Sequence, residues 1–388
     1  MPDGGLFRAA RFRDVHLYQG FAEAVLDGRV PYRDFFMEYP PGALAVFLPP
    51  AAFGDHYNAA FKALMVLCGA ATILLVALLL ARLGVSAGRL WAAVLLLALA
   101  PVALGPISLN TYDTWPALLT VGALAVLVAG SPVAAFALLG VAFAAKVYPV
   151  VLLPPALIFV WRTAGRRLAT RAFGAFAAAT VLIVGPFLVL APHGLGESFR
   201  AQAARGLQVE SLGGALLAVA DRVGLYSATV VHRTGRAISY ELTGSLPEVV
   251  AVLSSVAQVL AVLLVAWLYL RGRDEPLRLA ASFAAAIAGF LAFTRFFSPQ
   301  YVVWLVPFVM LLGPIAWLLT AVVLVLAQVW FFHYSDVFAL GDYIWLVAVR
   351  DLLVAALFMA AVLSLRGHAA EDEDSVLLED EAPLRVPS

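Results

Sequence analysis

The sequence predicts an all-α, polytopic integral membrane protein, a helical bundle with broken short helices. Three observations carry that reading. Hydrophobic residues make up 63% of the 388 and charged residues 13%, with a mean hydropathy of +0.94, far from the balance of a soluble domain. Apolar runs of about 20 residues, the length that spans a bilayer, recur along the chain. Arginines collect in short clusters between those runs. The formal net charge is zero, so no nucleic-acid partner is expected. The single cysteine, Cys68, lies in an apolar run and reads as a small packing residue. Every basic residue except Lys62 and Lys146 is arginine, a bias that fits a GC-rich coding sequence.

Residues 1–57 hold no run of spanning length and no signal peptide, so they read as a first extramembrane loop. Val15, Tyr18, Phe21, Ala22, Val25 and Leu26 follow the spacing of an amphipathic helix, with Asp14 at its N-cap position and Gly28 placed to end it. The stretch PYRDFFMEYPPG, Pro31 to Gly42, then packs Arg33, Asp34 and Glu38 among apolar residues and the Tyr32 and Tyr39 rings. Pro40 and Pro41 push their predecessors out of helical angles, so Glu38 stands on a stiff turn. The apolar ALAVFLPPAAF that follows is too short to cross and is expected to lie in the interface.

The crossings are ordered by where arginine collects. Residues 58–81, 90–108 and 112–129 read as three spans, with Arg82 and Arg89 after the first. The run from Val133 to Trp161 is interrupted at Lys146-Val147-Tyr148-Pro149 and followed by Arg162, Arg166 and Arg167. Read as one crossing, it would put two arginine clusters on opposite faces. The positive-inside rule wants them together, so two half-helices meeting at Lys146 are expected, a broken hairpin of the kind tolerated where backbone lines a cavity. Residues 168–190 cross outward to a second large loop, 191–247, which has no span of its own. Residues 248–270 return to Arg271, Arg273 and Arg278, 279–293 leave again, and Pro307 with Gly313-Pro314 divides 301–332 into two short spans before 343–364. The total is about 11 crossings on the length criterion. The chain is thus read as a first loop (1–57), a multi-span bundle (58–366) carrying the loop 191–247, and an acidic tail (367–388) with the composition of a disordered cytoplasmic end.

Parity places both large loops, and the tips at 109–113, 146–148, 294–300 and 333–342, on one extracytoplasmic face. Asp14, Arg33, Asp34, Glu38, Asp113, Lys146, Arg205, Glu210, Arg295 and Asp336 all fall on or near it. Ionisable groups at membrane depth are costly and usually mark function. A site here would take a charged or hydroxylated ligand beside lipid.

Five motifs in order, EYPPG after the Asp14 helix, LNTYDTWPALL (109–119), AAKVYPVVLLP (144–154), RGLQVES (205–211) and FSPQYVVWLVP (297–307), resemble glycosyltransferase family 87 of the GT-C superfamily, common in actinobacteria. The resemblance runs from about Asp14 to the last span. It implies transfer of a hexose, typically mannose, from a polyprenyl-phosphate-sugar donor to a glycolipid or glycan acceptor outside the plasma membrane, with inversion, no metal and no cofactor. The superfamily usually places a membrane span ahead of the loop that carries the catalytic aspartate, and this sequence begins without one; the expectation is either a start placed too late or a shortened variant.

The resemblance implies Asp14 as the general base, while on spacing alone it reads as a helix cap. The helix dipole at that position predicts an ionised carboxylate, helped by Arg11 and Arg13. Lys146, Arg205 and Arg295 are candidates for the donor phosphate, against snorkelling for Lys146, a lipid-headgroup contact for Arg205 and a structural role for Arg295. Arg33, Asp34, Glu38, Tyr39, Asp113, Gln208, Glu210 and Gln300 are candidates for positioning substrate. Asp34 and Glu38 have the alternative of pairing with Arg33, and Asn110 and Asp113 that of capping the span from Tyr112. Tyrosines and tryptophans at the span ends read as interfacial belt. No His, Cys or paired Asp stands at metal-ligand spacing. The competing readings are a transporter, since carriers also build sites from broken helices, and a GT-C enzyme with a pentose (arabinosyl) donor.

Overall fold

The structure, a computed structural model, describes residues 14–234 and 239–380, with side chains as far as Arg366. Residues 1–13, with Arg11 and Arg13, and residues 381–388 lie outside those limits, whereas the backbone of 367–380, expected as a disordered end, continues the last helix.

The first loop is built as its spacing predicts. α1 (Asp14–Leu26) buries Val15, Tyr18, Phe21 and Ala22, and Gly28, at φ 82°, turns the chain while its N–H bonds the Val25 carbonyl at 3.0 Å. Pro40 is extended (φ −61°, ψ 155°) and leads into a 3-10 turn, Pro41–Ala43, and α2 (Leu44–Ala51). Eight residues is far below a crossing, so α2 serves as a plug under α1, with Tyr18 stacked on Phe47 at 4.3 Å.

The bundle follows: α3 (Tyr57–Arg82), α4 (Ala87–Leu104), α5 (Pro106–Asn110), α6 (Thr114–Val128) and α7 (Pro132–Ala145). α7 stops at Lys146, whose φ of −156° and ψ of 145° are extended. A 3-10 turn over Tyr148–Leu152 then opens α8 (Leu153–Leu190), which bends at Gly165, where φ 83° and ψ 167° are open to glycine alone. The loop expected around Arg162 to Arg167 is a sharp break at Gly165 between two helical arms. The two half-helices expected to meet at Lys146 are α7 and the first arm of α8.

The segment 191–247 is more ordered than its polarity predicts. It contains α9 (Pro192–Ala203), α10 (Leu212–Arg222) and three short antiparallel strands, β1 (Leu207–Gln208), β2 (Thr229–Arg233) and β3 (Ser239–Thr243), in the order β1-β3-β2 with Leu207 facing Leu242 and Val231 facing Glu241. α11 (Ser245–Leu270) and α12 (Pro276–Ala292) follow, then a 3-10 turn at Pro299–Tyr301, α13 (Val302–Val309), α14 (Pro314–Phe332), α15 (Tyr334–Phe338) and α16 (Ile344–Asp380). The segment 301–332 divides in two at the Gly313-Pro314 pair as expected, with Gly313 at φ 151°, while α13 runs through Pro307 and ends two residues beyond it.

Among the described residues six helices are long and apolar enough to cross a membrane, and further apolar helices are shorter, among them α6 with 15 residues and α7 with 14. The all-α polytopic class holds. The main core is formed by α3 to α8, α11 to α14 and α16, with buried residues such as Val76, Leu124, Phe136, Val265, Phe283 and Leu357. A second core lies under the first loop.

Contacts stitch the arginine clusters to one end. Arg162 donates to the carbonyls of Leu270 and Gly272 at 2.8 and 2.9 Å and pairs with Asp274 at 3.0 Å. Arg278 donates to the carbonyls of Tyr269 and Leu365, and Arg89 to that of Leu312 at 2.8 Å. The polar loops meet at the other end.

Candidate active site

Four segments far apart in sequence converge where the proline turn meets the end of α7. Gly42 makes the approach possible: a Cβ there would stand 2.7 Å from the backbone of Ala144 and Ala145, so only a glycine lets the turn lie on the chain beside Lys146. Tyr32 fastens the other side of the turn, its hydroxyl donating to the Tyr39 carbonyl at 2.5 Å. α9 holds it from above, with Ser198 donating to the Met37 carbonyl at 2.8 Å and Gln202 to that of Glu38 at 3.2 Å.

Lys146 is the centre. Its Nζ donates to Asp113 Oδ1 at 2.8 Å, and the Trp304 indole donates to the same oxygen at 2.7 Å. Four rings surround the ammonium, with centroids at 4.5 Å (Tyr112), 5.2 Å (Trp304), 5.3 Å (Tyr301) and 5.9 Å (Tyr39). Trp304 is itself sandwiched between Tyr148 and Tyr301, each at 4.3 Å. Lys146 therefore does not snorkel. Asp113 makes no side-chain cap, because its carboxylate is taken by Lys146 and Trp304, and α6 starts at Thr114. Asn110 turns inward and donates to the Pro106 carbonyl at 2.7 Å, leaving its buried Oδ1 without a partner. The rings expected as an interfacial belt are, here, the wall of a buried site: Tyr112 and Trp304 are 0% and 2% exposed.

Asp14 joins this group through α1. It stands one turn before Tyr18 on the same face, and Tyr18 packs edge-on against Tyr39 and Tyr112 at 5.6 and 5.7 Å. Burial, and then the charges of Glu38 and Asp113, push the Asp14 carboxyl up to about 7, against the opposing pull of Lys146. The ionisation expected from the helix dipole is outweighed, because desolvation of a carboxylate acts in the opposite direction and is larger.

Arg205 occupies the next position. Its guanidinium lies 3.6 Å from Glu38 Oε2 and 5.6 Å from the Phe296 ring, and its buried Nε has no partner. Gln208 and Glu210 follow on the same segment. The Gln208 N–H bonds the Arg295 carbonyl at 2.9 Å, and its side-chain oxygen is buried without a partner. Glu210 accepts from Ser298 at 3.3 Å, and burial lifts it to about 7 despite the Arg350 charge. Arg295 spends its guanidinium on the Ala203 carbonyl, and Gln300, in the turn before Tyr301, makes no side-chain hydrogen bond among the described residues.

Two expected residues stand apart. Arg33 and Asp34 pair with each other at 2.8 Å, and the Arg33 hydrogen bond, with the Val30 N–H, holds Asp34 well below the usual carboxylate range. They line a separate surface cavity of about 430 Å³ with Pro192, His193 and Glu197. Two residues went unread in the sequence. Arg350 and Asp351 are buried in α16, pair at 2.7 Å, and Arg350 donates to the Glu210 carbonyl at 2.6 Å. A charge pair inside the apolar run 343–364 is the signal that would have found them.

One side-chain cluster thus brings together carboxylates from three segments, two cations and a wall of aromatic rings at the polar end of the bundle. The model of glycosyltransferase family 87 matches residues 36–294, well over half of the chain. The chain belongs to glycosyltransferase family 87. It is a membrane glycosyltransferase, and this decides against the transporter. The matched stretch contains Glu38, Asp113, Lys146, Arg205, Gln208 and Glu210 and begins after Asp14. No curated protein sequence matches the chain.

Proposed function

We propose that this family 87 enzyme transfers a hexose, mannose first among them, from a polyprenyl-phosphate-sugar donor to a glycolipid or glycan acceptor on the extracytoplasmic face of the plasma membrane. The observation that carries this reading is the convergence of the Asp14 and Glu38 carboxylates with Lys146 and Arg205 beside one wall of aromatic rings. In this reading Asp14 takes the proton of the acceptor hydroxyl as its oxygen attacks the anomeric carbon. The bond from that carbon to the phosphate oxygen breaks, with inversion, and polyprenyl phosphate leaves with the electron pair. A base with a proton affinity near neutral pH is well matched to this task.

Arg205 is the first cation for the departing phosphate, since its Nε has no partner and guanidinium binds phosphate bidentately. Lys146 supports it from within the aromatic cage, and Arg295 is placed at the rim through its carbonyl contact to Gln208. Asp113 orients Lys146, while Glu38, Tyr39, Gln208, Glu210 and Gln300 are proposed to shape the sugar and acceptor subsites. Arg33 and Asp34, which pair outside the pocket, are proposed only as part of its outer rim. No metal is needed in this scheme, because fixed cations receive the charge. The arginine clusters at the opposite end support the sidedness through the positive-inside rule.

The test is transfer in membranes containing the wild-type chain, with labelled polyprenyl-phosphate-mannose, its arabinose counterpart and nucleotide-mannose as separate donors. Label moving to lipid or glycan from the polyprenyl-phosphate-mannose donor alone is expected. Transfer from the arabinose donor would reassign the sugar, and transfer from the nucleotide sugar would overturn the donor class.

A further inference from the structure

The kink in α8 has its own cavity, far from the pocket just described. Gly165 bends the helix, so Leu157 and Trp161 on the first arm and Ala169, Thr170 and Phe173 on the second face one space of about 460 Å³, with Arg166 at the apex. Trp161 and Phe173 are 53% and 46% exposed. Leu157 and Phe173 are each eight residues from the bend, so both walls run about 12 Å along their arms. The cleft is apolar along its walls and cationic at one end.

Among the described residues, no acidic side chain pairs with Arg166, Arg167 or Arg171 at the apex. Arg162, Arg166, Arg167 and Arg171 fall within ten residues, and residues 114–196 contain no aspartate or glutamate. Arg162 is taken by Asp274 and the Leu270 and Gly272 carbonyls. The guanidiniums of Arg166, Arg167 and Arg171 have no acidic or hydrogen-bonding partner among the described residues, and all three are exposed. Exposed arginines at the end of a spanning segment lie at headgroup depth and attract anionic lipid.

We propose that this cleft is a binding site for one anionic glycerophospholipid of the leaflet on the arginine-rich side. The headgroup phosphate meets Arg166, with Arg167 and Arg171 beside it, and an acyl chain lies between the Trp161 and Phe173 walls. The bend supplies the shape and the unpaired arginines supply the sign. The site is independent of the glycosyl-transfer pocket and does not rest on the donor proposed there.

Native mass spectrometry of the purified chain with equimolar phosphatidylglycerol and phosphatidylcholine tests this. One phosphatidylglycerol retained per chain is expected, and its retention should fall about fivefold for each of Arg166→Gln, Arg167→Gln and Arg171→Gln. All three substitutions lie on the exposed surface, and an unchanged melting temperature checks that the fold is kept. Thr170→Trp fills the cleft and leaves every arginine in place, so it should also release the lipid. Equal retention of phosphatidylcholine, full retention in all three arginine variants, or full retention in Thr170→Trp would each overturn the proposal, the last by showing diffuse attraction instead of a seat. Displacement of phosphatidylglycerol by millimolar pyrophosphate would overturn it in favour of a free-phosphate site.

Discussion

Asp14 lies where burial and the charges of Glu38 and Asp113 lift its proton affinity to about 7. As a base it must be deprotonated, so turnover should rise as pH increases through about 7 and then level off. Glu38→Gln removes one of the charges that raises it and should move this limb to lower pH. Asp14→Asn keeps size and a capping oxygen but no proton acceptor, and a fall in transfer of order 10²- to 10⁴-fold is expected for a lost general base. Retained turnover in that variant would leave Asp14 as a cap. The same shift has a stability sign. The folded state holds a proton that the unfolded chain gives up above about 3.8, so its contribution is complete below that value and declines as pH rises through about 7. Melting curves of Asp14→Asn should lose this decline.

The Asp113–Lys146 pair makes a second case at the same scale. Asp113 is 1% exposed at its side chain and Lys146 14%. Removing one partner of such a pair strands the other, at a cost of about 3–5 kcal/mol. Asp113→Asn and Lys146→Met should each lower the melting temperature, and the double variant should recover part of the loss. Additive losses would mean that the pair contributes no coupling.

Among the elements, the proline turn is the one whose position depends on a single missing atom. Gly42→Ala sets a Cβ against Ala144 and Ala145 backbone at 2.7 Å, and backbone cannot rotate away as a side chain can. We expect a loss of about 1–3 kcal/mol, the cost of overpacking, together with lower turnover as Glu38 and Tyr39 shift. Gly20→Ala in α1, where a Cβ meets nothing within 4 Å, should instead be neutral or slightly stabilising. Equal behaviour of the two variants in thermal melts would refute the close approach. How much of this was legible in the sequence differs by element. The break at Lys146 could be read, because arginine parity and the Tyr148-Pro149 pair both point to it. The stiff turn could be read from Pro40 and Pro41. That Asp113 would bind Lys146 and Trp304 could not, since the partners are 33 and 191 residues away and nothing local marks a tertiary pair. The strands of 191–247 are too short to show a period, and the Arg350–Asp351 pair was hidden in a run read only for its length.

For the molecule as a whole, the sidedness can be read by labelling. The structure decides where a reporter cysteine fits: Gly213 and Gly272 are poor places, as a Cβ would strike Val250 and Arg278 at 2.6 and 2.4 Å, whereas Thr163, Glu275 and Ser227 are exposed. In intact cells an impermeant thiol reagent should label Ser227→Cys and spare Thr163→Cys and Glu275→Cys, and the buried native Cys68 gives no background. Labelling of Thr163→Cys and Ser227→Cys from the same side would refute the hairpin formed by α7 and the first arm of α8.

The shortness of α6 and α7 reaches further than topology. Fourteen residues of α7 rise only about 21 Å, while the hydrocarbon layer is about 30 Å thick. In the sidedness proposed above, which puts the turn at Gly130 near the inner boundary, Asp113 and Lys146 would sit several ångströms beneath the outer headgroups, so the lipid around this site would have to thin or an aqueous cup dip into it. Depth then becomes a kinetic variable. In reconstituted bilayers of increasing acyl length, each added ångström of mismatch carries a modest cost, and transfer should be fastest in thin bilayers and slow steadily in thick ones. A hydroxyl-bearing acceptor must be drawn down to that level before it can react, which favours substrates carried by a lipid already lying there.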